Sequence, residues 1–172
     1  NFLTIALGLG SMILAFSYPL MKRFTYWPQL FLGLTFNWGL VMAWTAMNNN
    51  VSQEIILLYI SAIFWTLGYD TIYGAQDMVD DEIIGLKSTA IKFKKNMKLF
   101  VFTSYLITSL ILFYLFHKEL GVNLFTIFLI FFIISLFFQV YKFNQKETKS
   151  CLKYFRMNNL SGLLLFTSLN TL

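Results

Sequence analysis

The chain has 172 residues, of which 58% are hydrophobic, 19% aromatic and only 12% charged, whereas soluble domains carry about 25% charged residues. This excludes a water-soluble globular domain and predicts an all-α integral membrane bundle whose surroundings are a lipid bilayer. The net charge of +5 comes from basic residues in short segments between apolar runs, a topology signal that makes nucleic acid an unexpected partner, and the single cysteine, Cys151, rules out an internal disulfide or a Cys-x-x-Cys metal motif.

Asn1 enters an apolar run at once, with no basic region and no small-residue cleavage site, so this start is not a signal peptide. Six runs approach the roughly 20 apolar residues that cross a bilayer: 2–20, 28–46, 54–73, 98–116, 121–141 and 157–172, the last being the shortest. Pro19 and Pro28 bracket the first loop. Asn48, Asn49 and Asn50 form the second, and His117, Lys118 and Glu119 the fourth, where His117 is expected to be solvated. Lys22 and Arg23 lie in the first loop, Lys87, Lys92, Lys94, Lys95 and Lys98 in the third, and Lys142, Lys146, Lys149, Lys153 and Arg156 in the fifth. Only Lys118 falls in an even-numbered loop, so the odd loops are expected to be cytoplasmic. The same parity puts Asn1 on the outer side, which an odd number of preceding helices would explain. The expectation is therefore a single transmembrane domain over 1–172, truncated at its N-terminus. The lysines from 92 to 98 read as a topology and anionic-lipid patch, and Phe125 to Phe138 as lipid-facing or packing surface.

The third span runs into Tyr69–Ala90, YDTIYGAQDMVDDEIIGLKSTA, which holds Asp70, Asp77, Asp80, Asp81 and Glu82, five of the eight acidic residues. If the helix continues through this segment, 100° per residue places Asp77 and Asp81 about 20° to either side of Asp70, forming one carboxylate stripe. Such a stripe repels itself unless a cation is bound, and hard oxygen ligands beside a substrate phosphate suit Mg²⁺. A solvated cytoplasmic loop is the plainer reading of the same residues. Gly74 allows a close approach or a bend, Gly85 ends the segment in a turn, and Lys87 can reach phosphate oxygens as a point charge.

This string resembles the second aspartate-rich motif of the UbiA superfamily of membrane prenyltransferases. The family's DxxxD falls on Asp77 and Asp81, and Tyr69, Asp70, Gly85, Lys87, Ser88 and Thr89 also match. Further agreement lies in Tyr18 to Arg23, Pro28, Gln29 and Gly33, and in Cys151, Phe155, Asn158, Asn159 and Gly162. The resemblance implies a bundle of nine helices, about six of them here, with the family's first motif, NDxxDxxxD, expected before residue 1. It implies Mg²⁺ as cofactor, polyprenyl diphosphate as donor and 4-hydroxybenzoate as acceptor in ubiquinone biosynthesis, in a bacterial inner membrane. Asp77 and Asp81 would be catalytic metal ligands, and Asp70 a catalytic support for the metal or the acceptor. Lys22, Arg23, Tyr69, Lys87 and Asn158 would bind substrate. Lys22 and Arg23 equally satisfy the topology rule, and Asn158 with Asn159 can serve as a helix cap. Two other functional readings remain open: an inactive truncated fragment or partner of a separate N-terminal piece, and a related enzyme acting on another quinone or haem precursor.

Overall fold

A computed structural model describes residues 1–172 and contains helices and turns but no strand. In hydrocarbon every backbone polar group must be satisfied within the segment, and apolar runs of this length meet that demand only as helices. In chain order the helices are α1 (Phe2–Ser17), a single 3₁₀ turn (Tyr18–Leu20), α2 (Met21–Phe24), α3 (Pro28–Phe36), α4 (Trp38–Asn48), α5 (Gln53–Gly74), α6 (Met78–Ile83), α7 (Thr89–Lys92), α8 (Met97–Leu115), α9 (Leu124–Lys142), α10 (Thr148–Arg156) and α11 (Asn158–Leu169). Five helical stretches are long and apolar enough to span a bilayer: Phe2–Phe24, Pro28–Asn48, Gln53–Gly74, Met97–Leu115 and Leu124–Lys142. They coincide with the first five predicted runs.

Three segments differ in detail from the runs read in the sequence. The sixth run is a helix of 12 residues, about 18 Å at 1.5 Å per residue against a hydrocarbon core of about 30 Å. It follows an amphipathic helix, α10, that buries Cys151 and Tyr154. The second span is jointed at Asn37, whose side-chain amide donates to Gly33 O, Ala62 O and Thr66 Oγ1 at 2.9, 3.3 and 2.8 Å; such satisfied interruptions are tolerated at membrane depth. Finally, the third span does not run on into the acidic segment. It stops at Gly74, where a Cβ would stand 3.0 Å from Gln29 Nε2 and 3.6 Å from Ala90 Cβ, and the chain turns before α6 begins at Met78.

The central element is α5, packed against α8 on one side and α3, α4 and α10 elsewhere. At Gly68 the contact with α8 is so close that a Cβ would clash with the ring edge of Tyr105, which is fully buried. One helical turn pair away, Ser61 Oγ donates to Thr108 O and Thr108 Oγ1 donates to Ser61 O, at 3.2 and 3.1 Å, a small-residue, hydrogen-bonded interface of the kind membrane helices favour. A buried polar chain ties α11 to the bundle. Asn158 Nδ2 and Tyr105 OH both donate to Gln139 Oε1 at 3.2 Å, and Gln139 Nε2 donates to Ser161 Oγ at 2.9 Å. No buried side-chain nitrogen or oxygen is left without a partner.

Cys151 is a packing residue near the start of α10. Its side chain is buried, Sγ lies 3.4 Å from Asn144 O, and burial pushes the thiol up from its ordinary value. Since the thiolate is the reactive form, maleimide should label the folded protein at neutral pH far more slowly than the detergent-unfolded chain. Equal labelling rates would mean that α10 does not stay docked.

Candidate functional site

The acidic segment is built from three local devices. α6 opens at Asp77, and Asp81 N donates to Asp77 O at 2.8 Å, so the two carboxylates of the motif are one helical turn apart. α6 ends in a Schellman turn: Leu86 N donates to Asp81 O at 2.8 Å and Gly85 N to Glu82 O at 3.3 Å, with Gly85 at φ +75°, a conformation that glycine adopts without strain. The next residues are then locked down. Ser88 caps α7, Thr89 N donates to the buried Gln29 Oε1 at 2.9 Å, and the hydroxyls of Thr71 and Thr89 pair at 2.7 Å.

This framework brings the first loop against the acidic segment. Lys87 N donates to Lys22 O at 2.8 Å, and Lys87 Nζ donates to Phe24 O at 3.3 Å. Lys22 Nζ pairs with Asp81 Oδ2 at 3.4 Å, and its charge also acts on Asp70. Asp81 is buried, so Lys22 gives this carboxylate the positive neighbour that its burial requires. The other ion pair in the chain joins Lys94 to Glu82 at 2.6 Å, leaving Asp70, Asp77 and Asp80 without an ion pair. Arg23 is exposed and also makes no ion pair.

No three His, Cys, Asp or Glu side chains converge into a set able to hold a metal by themselves. The three-carboxylate stripe expected from one unbroken helix is therefore replaced by Asp77 and Asp81 on α6 and Asp70 on the last turns of α5. Two carboxylates, one of them free of any ion pair, fit a Mg²⁺ ion that completes its shell with water and substrate phosphate.

Tyr69 lies on the apolar side of this junction. Its ring packs against Trp65 and Phe155 at centroid distances of 6.2 and 6.0 Å, and the three rings help wall a cavity of about 260 Å³ that Asn158 and Asn37 also line. A second cavity, of about 360 Å³, shares Phe36, Asn37 and Trp65 with the first and extends along α5 past Leu58 to Leu112 and Leu165. Asn158 does more than cap a helix: its Oδ1 accepts from Trp65 Nε1 at 3.1 Å while its Nδ2 engages Gln139, so it holds the cavity wall in place. Sequence reading missed Asn37, Trp65 and Gln139 as parts of this region. The available signal was a polar residue inside an apolar run, which at membrane depth marks a functional or packing site.

The profile of the UbiA prenyltransferase family matches residues 1–162. Among curated proteins, the chain is 56% identical over 99 residues to 4-hydroxybenzoate polyprenyltransferase, mitochondrial, of Homo sapiens, covering 57% of this chain and 27% of that protein. It is 38% identical over 179 residues to the protein of the same name from Drosophila melanogaster, covering 96% of this chain and 43% of that one. The chain thus spans less than half the length of these relatives. Among solved structures, the apo structure of a UbiA homolog from Aeropyrum pernix K1 superposes with a TM-score of 0.76 at 19% identity, covering 95% of this chain and 62% of that one, which establishes the fold.

Proposed function

The chain belongs to the UbiA prenyltransferase family, and on that premise we propose that residues 1–172 form one transmembrane domain of a Mg²⁺-dependent enzyme of ubiquinone biosynthesis. The reaction is transfer of a polyprenyl group from polyprenyl diphosphate to the ring carbon ortho to the hydroxyl of 4-hydroxybenzoate. The observation that carries this reading is that, toward the C-terminal end of α5, Asp70 of the carboxylate and lysine platform directly follows Tyr69, which lines an aromatic-walled cavity. An amphipathic donor needs that layout, with its diphosphate at the charged end and its chain among Trp65, Leu58 and Leu165. The relatives' shared name favours 4-hydroxybenzoate over another quinone or haem precursor as acceptor.

In the proposed mechanism Asp77 and Asp81 hold Mg²⁺, with Asp70 supporting the metal or the acceptor. The bound ion supplies Lewis-acid neutralisation of charge on the departing diphosphate. Lys22 and Lys87, fixed to one another through the backbone, add positive charge where the leaving group gains negative charge, and Arg23 is the further cation at that end. The allylic C–O bond breaks with its electron pair going to the diphosphate. The ring carbon ortho to the hydroxyl then bonds to the prenyl carbon and gives up its proton to an oxygen of the released diphosphate, which restores the aromatic ring. The rings of Tyr69, Trp65 and Phe155 present π-faces to a passing cation and keep water from quenching it. The membrane is proposed to be an inner membrane, bacterial on the sequence reading, although the relatives compared carry mitochondrial names.

The apolar cavity along α5 offers a test that leaves the charged end untouched. Leu165→Trp in the full-length enzyme should cut kcat/KM for a long polyprenyl donor roughly tenfold or more, as filling an apolar pocket does, and change it little for a short donor. Equal losses for both donors would remove this cavity from the donor site.

A further inference from the structure

The structure brings together two lysine-bearing loops that membrane topology alone would leave apart. The segment before α8 and the one after α9 are about fifty residues apart in sequence, yet Gln145 Nε2 donates to Lys94 O at 3.1 Å and Lys98 Nζ donates to Tyr141 O at 3.2 Å. One open groove of about 400 Å³ runs between them, and a second of about 430 Å³, formed by residues 91–96 alone, shares Lys95 and Asn96 with it. Lys92, Lys94, Lys95, Lys98 and Lys146 line them, and no acidic residue does. Lys94 is paired with Glu82 and Lys92 sits 4.4 Å from the Trp27 ring centroid, whereas Lys95 and Lys146 have no carboxylate partner. The positive-inside rule asks only that each loop carry charge; it does not ask that the charges share a groove.

We propose that this groove is a binding site for the headgroup of an anionic phospholipid of the cytoplasmic leaflet. The surroundings select a lipid over a free anion. The groove opens at the membrane ends of α8 and α9, where Leu99 lines it and is exposed, as are Phe102 one turn further along α8 and Tyr141, whose carbonyl Lys98 engages, an apolar surface along which acyl chains can lie. A soluble phosphate would use the lysines and gain nothing from that surface. Basic pockets between membrane helices on the cytoplasmic side suit such headgroups. The site is separate from the Asp77–Asp81 platform and does not depend on the reaction assigned to it.

The test is native mass spectrometry of the purified protein in micelles doped with equal amounts of phosphatidylglycerol and phosphatidylcholine. The expected result is preferential retention of phosphatidylglycerol. That preference should fall about tenfold or more in Lys95→Gln/Lys146→Gln, return in Lys95→Arg/Lys146→Arg, and persist in Lys118→Gln on the opposite side. Millimolar inorganic phosphate should fail to displace the lipid. Equal retention of the two lipids, an unchanged preference in the double Gln variant with an unshifted melting temperature, or displacement by inorganic phosphate would each overturn the proposal.

Discussion

Asp81→Asn in the full-length enzyme is expected to lower prenyl transfer by roughly 10²–10³-fold, the scale seen when one group stabilising transition-state charge is removed, while the protein still inserts and melts normally. The substitution keeps the side-chain volume, so the Schellman turn that accepts at Asp81 O is untouched. It removes the negative charge that faces Lys22 at 3.4 Å and is proposed to face Mg²⁺. Raising Mg²⁺ should recover part of the activity of Asp77→Asn, which leaves the buried ligand in place, and less of that of Asp81→Asn. A prenyl-transfer assay across a Mg²⁺ titration reads both. Turnover of Asp81→Asn within a few-fold of the parent would remove the metal assignment.

Gly68→Ala should destabilise the bundle by about 1–3 kcal/mol, the usual cost of forcing extra volume into a packed core. The added methyl would enter the space held by the Tyr105 ring. That ring cannot swing away, because it is fully buried and its hydroxyl is engaged by Gln139. The specific claim concerns coupling. In a double-mutant cycle with Tyr105→Leu, the pair should be less destabilised than the sum of the single changes, since the smaller side chain vacates the clash. Thermal or denaturant unfolding in detergent measures all four corners, and strict additivity would contradict the contact.

Much of this architecture is legible in the chain. Apolar length located five spans to within a few residues, and lysine parity gathered the acidic segment and its basic neighbours at one end. Gly85 was identifiable as a turn because it ends a polar helical stretch. The break after Gly74 was not legible: the spacing of Asp70, Asp77 and Asp81 is compatible with an uninterrupted helix, and what ends α5 is contact with Gln29 and Ala90, distant in sequence on one side. The Asn158–Gln139–Tyr105 chain was hidden for the same reason, since each member looks like a lone polar residue until α8, α9 and α11 are packed. The jointed second span depends on Asn37 finding acceptors on α5. Local period predicts helices well, but it carries no information about which helix will stop another.

The backbone bond from Lys87 N to Lys22 O also bears on how such a site can vary. A main-chain hydrogen bond is indifferent to side-chain identity, proline at 87 excepted, since proline lacks the N–H. Lys87 can be exchanged for a neutral or acidic residue without undoing that bond, whereas the charge of Lys22 is also tied to the buried Asp81. Position and charge at residue 87 are therefore separately adjustable. Mutational drift or a combinatorial library could retune the electrostatics of the platform there while its scaffold stays the same.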